Sequence, residues 1–208
     1  MESVGDILKS GSYKKPIVQR IFKCNISATD YAEKFTELAT GRMVFSGGDF
    51  VVDDDNKDII NQLFYFLVGS DKFNGDPIKG ILLMGPYGTG KTIIMESFID
   101  IFNSDSDKRI KSVNSKDIAR IQAENEIGFL DKRPLFIDDI GKEQTVVNNY
   151  GTVSKPMEDV MNERYKNGAF TLGTSNLKFE DMPYNGHTMD RMKQMFNVMV
   201  LPGKSRRK

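Results

Sequence analysis

Apolar and polar residues change spacing several times along this chain, and the changes predict an alternation of helices and strands. Short segments whose apolar residues are consecutive, or alternate with polar ones, are typical of strands. Longer segments with apolar residues three and four positions apart are typical of helices. The predicted strands are 80–84, 109–113, 134–140, 169–176 and 197–203. The predicted helices are 27–41, 56–69, 91–102, 115–125, 154–168 and 188–196.

This alternation predicts an α/β fold with a five-stranded parallel sheet covered by helices on both faces. Strands such as GILLM (80–84) and LFI (135–137) are nearly continuous in apolar character, as strands buried on both faces are. In such sheets, ligands bind beyond the carboxyl ends of the strands. Candidate chemistry is therefore expected at those ends.

Capping residues refine the expected helix ends. Ser27 and Asp30 have the spacing of a capping box, and Gly41 is expected to end that helix. Ser115 and Ser154 are the predicted N-caps of two later helices, the second of which is expected to stop at Gly168. Residues 1–26 lack periodicity and are expected to form a flexible or partner-dependent lead.

Residues 45–56 are rich in turn formers and mark the predicted domain boundary. Residues 1–56 are expected to form a short N-terminal extension that binds a partner, and residues 57–208 the core. With 208 residues, the chain is long enough for one domain with a full hydrophobic core.

Composition excludes some classes of site and leaves others open. Lys plus Arg equals Asp plus Glu at 29 each, so no global field steers the protein to nucleic acid or membranes. The single cysteine, Cys24, excludes an internal disulfide, and we expect it to be a small apolar filler. Without a signal-like start or a long apolar run, the chain is expected to be cytoplasmic, with no membrane partner.

Residues 85–92 match the phosphate-loop pattern G-x-x-x-x-G-K-[ST] between a predicted strand and a predicted helix. Its glycines allow successive backbone N–H groups to point into one concavity, next to the positive end of a helix dipole. Lys91 is expected to reach the β- and γ-phosphates of ATP, and Thr92 to ligate Mg²⁺. The loop residues expected to bind the nucleotide are Gly85, Pro86, Tyr87, Gly88, Thr89, Gly90, Lys91 and Thr92.

Two carboxylates and an amide follow at other strand ends. Asp138 is expected to hold Mg²⁺, and Asp139 to act as a base or orienting group for an attacking water. The alternative for Asp139 is a turn or capping role. Asn176 could bridge that water and the γ-phosphate, or be an ordinary turn residue.

Taken together, GPYGTGKT, LFIDDIG, TLGTSNL and the terminal DRM…VLPGKSRR resemble the DnaC/IstB-type AAA+ ATPases over residues 57–208. The resemblance implies that Asp138 and Asp139 form the Walker B motif and Asn176 is the sensor residue. It also implies that the sensor strand lies between the phosphate-loop and Walker B strands. The family further implies that Arg191 is an arginine finger for a neighbouring subunit, that Arg207 is its terminal arginine, and that no helical lid follows. Many AAA+ proteins have glutamate where this chain has Asp139, which suggests slow hydrolysis.

The leading hypothesis is an ATP-hydrolysing helicase loader that acts in DNA replication. Its implied partners are a hexameric replicative helicase, single-stranded DNA and further copies of itself. A transposition helper of the IstB type, with a transposase as client, is the first alternative. A P-loop kinase and a non-hydrolysing, nucleotide-gated binding module are alternatives of other classes. The basic residues in GKSRRK and in 106–111 are candidates for DNA backbone contact, or solvated surface charge.

Overall fold

The computed structural model describes residues 23–43, 48–105, 109–124, 130, 132–149 and 152–206. Within them, the α-helices are α1 (Ala28–Gly41), α2 (Lys57–Val68), α3 (Lys91–Asp105), α4 (Ile118–Ala123), α5 (Pro156–Lys166) and α6 (Gly186–Met195). The strands are β1 (Gly80–Met84), β2 (Lys111–Asn114), β3 (Leu135–Asp138), β4 (Val147–Asn149), β5 (Thr152–Ser154), β6 (Thr171–Ser175) and β7 (Phe196–Val200). Two single 3₁₀ turns are Ser115–Asp117 and Phe179–Asp181.

Five strands form one parallel sheet in the order β2-β3-β6-β1-β7. The predicted α/β fold class is therefore confirmed. Strand β6 lies between β3 and β1, which brings the carboxyl ends of three chemistry-bearing strands together. A Cβ at Gly173 would lie 2.6 Å from Ile140 Cδ1, so the missing side chain leaves room for Ile140 beside the sheet.

The sheet separates two apolar cores, and successive residues of β1 enter opposite ones. Ile81 and Leu83 pack with α1, α2 and α3 on one face. Leu82 and Met84 pack with residues of α4, α5 and α6 on the other. This alternation follows from the two-residue period of a strand and explains why β1 is apolar throughout.

The N-terminal part of the described chain packs into the first of these cores. Cys24, Tyr31, Phe35 and Phe50 belong to the same cluster of buried side chains as β1 and α3. Cys24 and Ile26 are thus packed against the core, in contrast to the predicted flexible lead, whereas residues 1–22 lie outside the described residues. Cys24 is buried, and burial raises the pKa of its thiol to about 11, as befits an apolar filler. A partner-binding role for residues 1–56 stays a prediction.

Several predicted helix ends are shifted. Ser27 caps α1 as predicted, since its Oγ accepts a hydrogen bond from the Asp30 N–H. The cap before the 3₁₀ turn is Asn114 rather than Ser115, whose hydroxyl instead donates to the Asp139 carbonyl. Ser154 does not cap α5.

The structure also contains an antiparallel pair, β4 and β5, that the pattern did not predict. Ser154 is the last residue of β5, which explains why it cannot cap the next helix. Two glycines expected to end helices differ in conformation: Gly168 follows α5 with a φ of 58°, whereas Gly41 is the last residue of α1 and its φ is not positive. None of the described helices is both long and apolar enough to cross a membrane.

Candidate nucleotide-binding site

The loop between β1 and α3 has the backbone that its glycines predict. Gly85, Gly88 and Gly90 have φ values of 156°, 77° and 97°, which side-chain-bearing residues rarely adopt. A Cβ at Gly88 would also lie 2.2 Å from Ser205 Oγ. The loop leads directly into α3, and the amino end of a helix presents N–H groups and a positive partial charge. This combination is suited to an anion.

Lys91 is the first residue of α3, and its side chain turns back into the loop. Its Nζ donates to the carbonyl oxygens of Gly85 at 2.9 Å and Pro86 at 2.8 Å, and to Asn176 Oδ1 at 2.8 Å. Only 5% of the residue is exposed. A buried ammonium is costly unless its donors are paired, so these oxygens hold Lys91 in the loop until stronger acceptors replace them.

Thr92, at the amino end of α3, contacts Asp138, at the carboxyl end of β3. Thr92 Oγ1 lies 2.9 Å from Asp138 Oδ1, which also accepts a hydrogen bond from Thr174 Oγ1 at 2.5 Å. Mg²⁺ in nucleotide sites takes one or two protein oxygens, with phosphate and water completing an octahedron. A hydroxyl and a carboxylate in direct contact fit that requirement.

Asp139 has a left-handed backbone conformation, and each of its carboxylate oxygens accepts a hydrogen bond. Its φ of 61° lies in the left-handed region, where aspartate and asparagine are tolerated better than longer side chains. Asn176 Nδ2 donates to Oδ1 at 2.6 Å, and Lys142 Nζ lies 2.8 Å from Oδ2. Hydrogen bonds thus connect Lys91, Asn176, Asp139 and Lys142 in one chain.

A cavity of about 200 Å³ is lined by part of the loop and by Lys91, Thr92, Asp139 and Asn176. Its wall includes five residues that the sequence analysis did not assign to the nucleotide site: Met43, Phe50, Ile93, Lys142 and Arg206. Met43 and Phe50 give it an apolar part beside the polar loop. Ile93 directly follows the loop, whereas Met43, Phe50, Lys142 and Arg206 come from parts of the chain that are distant from it in sequence.

Arg206 connects the C-terminal segment to both the loop and the N-terminal region. Its guanidinium makes a bidentate ion pair with Asp53, at 2.7 and 2.9 Å, and its backbone N–H donates to the Gly88 carbonyl at 2.9 Å. The hydrogen bonds from Arg206 hold the pKa of Asp53 below its usual range. From Leu201 to Arg206 the described chain contains no helix. Arg207, the family's implied terminal arginine, lies outside the described residues.

Arg191 lies on α6, away from the residues that line this cavity. Its Nη1 donates to Asn162 Oδ1 at 2.8 Å, and its guanidinium lies 5.1 Å from the centre of the Tyr165 ring. The structure therefore brings together the predicted loop residues, Asp138, Asp139 and Asn176, but not Arg191. A role for Arg191 in a neighbouring subunit stays a prediction.

Comparison with known proteins gives a likeness of fold. No protein-family model and no curated protein sequence matches the chain. A candidate primosome component from Streptococcus pyogenes serotype M3 superposes with a TM-score of 0.58 at 18% identity, over 76% of this chain and 85% of that one. The DnaC helicase loader superposes with a TM-score of 0.55 at 18% identity, over 73% and 93%. The replication initiator DnaA, bound to AMPPCP and single-stranded DNA, gives 0.54 at 14%, over 74% and 49%.

Proposed function

We propose that this protein is an ATP-hydrolysing switch of the AAA+ type that acts as a helicase loader in DNA replication. The observation that carries the proposal is the connected set of side chains at the phosphate loop. At the carboxyl edge of the sheet, hydrogen bonds join Lys91 to Asn176 and Asn176 to Asp139, and a second set joins Thr92 to Asp138. Thr174 links the two sets, since its hydroxyl donates to Asp138 and accepts from the Asp139 N–H.

The geometry supports a division of labour between these groups. The loop N–H groups and the Lys91 ammonium would bind phosphate oxygens, with Lys91 exchanging its present carbonyl acceptors for them. Thr92 and Asp138 would hold Mg²⁺, which neutralises charge on the phosphates when bound.

Asp139 and Asn176 would act on the attacking water. Asp139 would accept a proton from the water as its oxygen bonds to the γ-phosphorus and the bond from that phosphorus to the bridging oxygen of ADP breaks. Asn176 would orient the water and the γ-phosphate, since its amide already lies between Lys91 and Asp139. The products are ADP and inorganic phosphate.

The likeness in fold supports the choice of client. Proteins of similar fold include one described as a helicase loader and one bound to an ATP analogue and single-stranded DNA. We infer by analogy that this chain binds a hexameric helicase and single-stranded DNA in the cytoplasm, in an ATP-dependent homo-oligomer. In that assembly Arg191 would contact the nucleotide of a neighbouring copy.

A nucleotide-gated binding module without turnover is the second candidate, favoured by one observation. Both oxygens of the Asp139 carboxylate already accept hydrogen bonds, from Asn176 and Lys142. The amide and the ammonium compete with the attacking water for these oxygens, so the protein could bind ATP and hydrolyse it only slowly.

Calorimetry and phosphate release separate these candidates. Wild-type protein should bind Mg-ATP, and Lys91→Ala should lose that binding. Lys116→Ala is the control and should keep it, because Lys116 is an exposed lysine that follows β2 at the carboxyl edge of the sheet. Asp139→Asn should bind Mg-ATP and release no phosphate. If the wild type binds Mg-ATP but releases no phosphate, with or without single-stranded DNA, the protein is a nucleotide-gated binding module. Affinity for Mg-ATP that is unchanged in Lys91→Ala would refute the site.

Affinity capture identifies the client. The Asp139→Asn protein with bound ATP should retain a hexameric helicase, whereas the Lys91→Ala protein should not. Capture of a transposase instead would assign the protein to transposition.

A further inference from the structure

A second lysine stands at the cavity, and the proposed hydrolysis gives it no role. Lys142 Nζ lies 2.8 Å from Asp139 Oδ2 and 4.7 Å from the centre of the Tyr87 ring. The side chains of Lys142 and Asp139 are 26% and 24% exposed, so water screens their attraction only in part. The pair is thus part of the site's wall and not a fully solvated surface contact.

The backbone fixes the carboxylate end of this pair. The Asp139 N–H donates to Thr174 Oγ1 at 2.9 Å, and its carbonyl accepts from Ser115 Oγ at 2.8 Å. The same carbonyl accepts from the Lys142 N–H at 3.1 Å, which closes a tight turn. Because both ends of Asp139 are tied to the fold, this turn keeps Lys142 within ion-pairing reach of the carboxylate.

Neighbouring acids do not draw Lys142 away. Glu143 accepts hydrogen bonds from the Gly141 N–H at 2.9 Å and from the Tyr184 hydroxyl. Asp138 accepts from two hydroxyl groups. Within the described residues, the ion pair of Lys142 is therefore with the carboxylate proposed as the base.

We propose that Lys142 is a positioning residue that restrains Asp139 and keeps basal ATP hydrolysis slow. An ammonium bonded to a carboxylate oxygen competes with the attacking water for that oxygen. The inference rests on the proposed function, and it assigns the slow rate to one side chain. Removing the ammonium frees Oδ2 for the attacking water, whereas nucleotide binding by Lys91 and the loop is unaffected.

The expected effect is modest in size. Partly exposed ion pairs contribute up to about 1 kcal/mol, which corresponds to roughly a fivefold change in rate. Lys142→Met removes the charge but keeps an apolar chain of similar length. It should raise kcat at saturating Mg-ATP by about two- to fivefold and leave KM within about twofold of wild type.

Three further variants make the test specific. Lys142→Arg keeps the cation and should hydrolyse ATP at the wild-type rate. Lys116→Met removes an exposed lysine that is not at the cavity and should also match wild type. Lys142→Met combined with Asp139→Asn should hydrolyse nothing, because the gain in rate acts through Asp139.

An equal or lower kcat in Lys142→Met would overturn the proposal, as would a raised KM at unchanged kcat, which would make Lys142 a nucleotide ligand. Calorimetry separates this failure from failure of the proposed function. If the wild type does not bind Mg-ATP, the proposed function and the role of Lys142 are both refuted. If wild type and Lys142→Met bind Mg-ATP equally and turn over equally, only the restraint by Lys142 is refuted.

Discussion

Phe35 offers a direct test of whether the N-terminal helix is part of the same cooperative unit as the nucleotide site. The side chain is 1% exposed, and its ring centre lies 5.7 Å from that of Tyr31 and 5.9 Å from that of Phe50. All three belong to the core that includes β1 and α3. Phe35→Ala would leave a cavity in this core, beneath α1.

The size of the effect follows from that burial. Replacing a buried phenylalanine by alanine costs about 3–5 kcal/mol of unfolding free energy. For a chain of about this length, each kcal/mol lowers Tm by roughly 2–4 °C, so a fall of about 6–20 °C is expected. Calorimetric melting and circular dichroism should show one transition, shifted as a whole.

Glu37→Ala is the matched control, because Glu37 lies on the exposed side of the same helix. It should change stability by no more than about 0.5 kcal/mol. A loss below about 1 kcal/mol in Phe35→Ala would refute the reasoning, since the cavity cost depends on tight packing. A separate low-temperature transition would show instead that α1 unfolds independently of the sheet.

Three further outcomes are expected. Arg191→Ala should lose ATP hydrolysis and regain part of it when mixed with Lys91→Ala, since each supplies the group the other lacks; no recovery would contradict a shared site. Asp53→Asn should lower the unfolding free energy at pH 7 by up to about 1 kcal/mol. Because Arg206 lowers the pKa of Asp53, this difference from wild type is present above about pH 4 and should shrink as the pH falls further, in denaturation curves measured at each pH. Gly88→Ala should weaken Mg-ATP binding at least about fivefold by calorimetry, because a φ of 77° strains an alanine by 1 kcal/mol or more. Unchanged affinity would show that the loop can rearrange.

The parts of the molecule that sequence reasoning predicted are those with local causes. The strands follow from apolar runs such as GILLM, and the loop from glycines that a phosphate-binding backbone requires. The position of Asn176 beside Lys91 came from the family resemblance, which implied the strand order. The conformation of Asp139 was not predicted, although its left-handed φ gives a physical reason for aspartate in place of glutamate.

The parts that were missed depend on contacts between distant residues. Lys142, Phe50 and Arg206 reach the cavity only when the turn after β3, the N-terminal segment and the C-terminal segment fold together. The helix that contains Phe35 was predicted correctly, but nothing in its sequence says which surface it covers. Asn114 and Ser115 show a smaller limit, because either residue type can cap a helix and only the backbone decides between them.

The meeting of Arg206, Asp53 and Gly88 has a mechanical consequence. Arg206 and Asp53 are 153 positions apart in sequence, yet they form an ion pair. The Arg206 N–H also donates a hydrogen bond to Gly88 of the phosphate loop. A molecule bound in the cavity would lie beside Arg206 and, through its ion pair, would be linked to Asp53. Binding at the loop would therefore bear directly on the N-terminal and C-terminal segments, with no conformational change needed across the sheet.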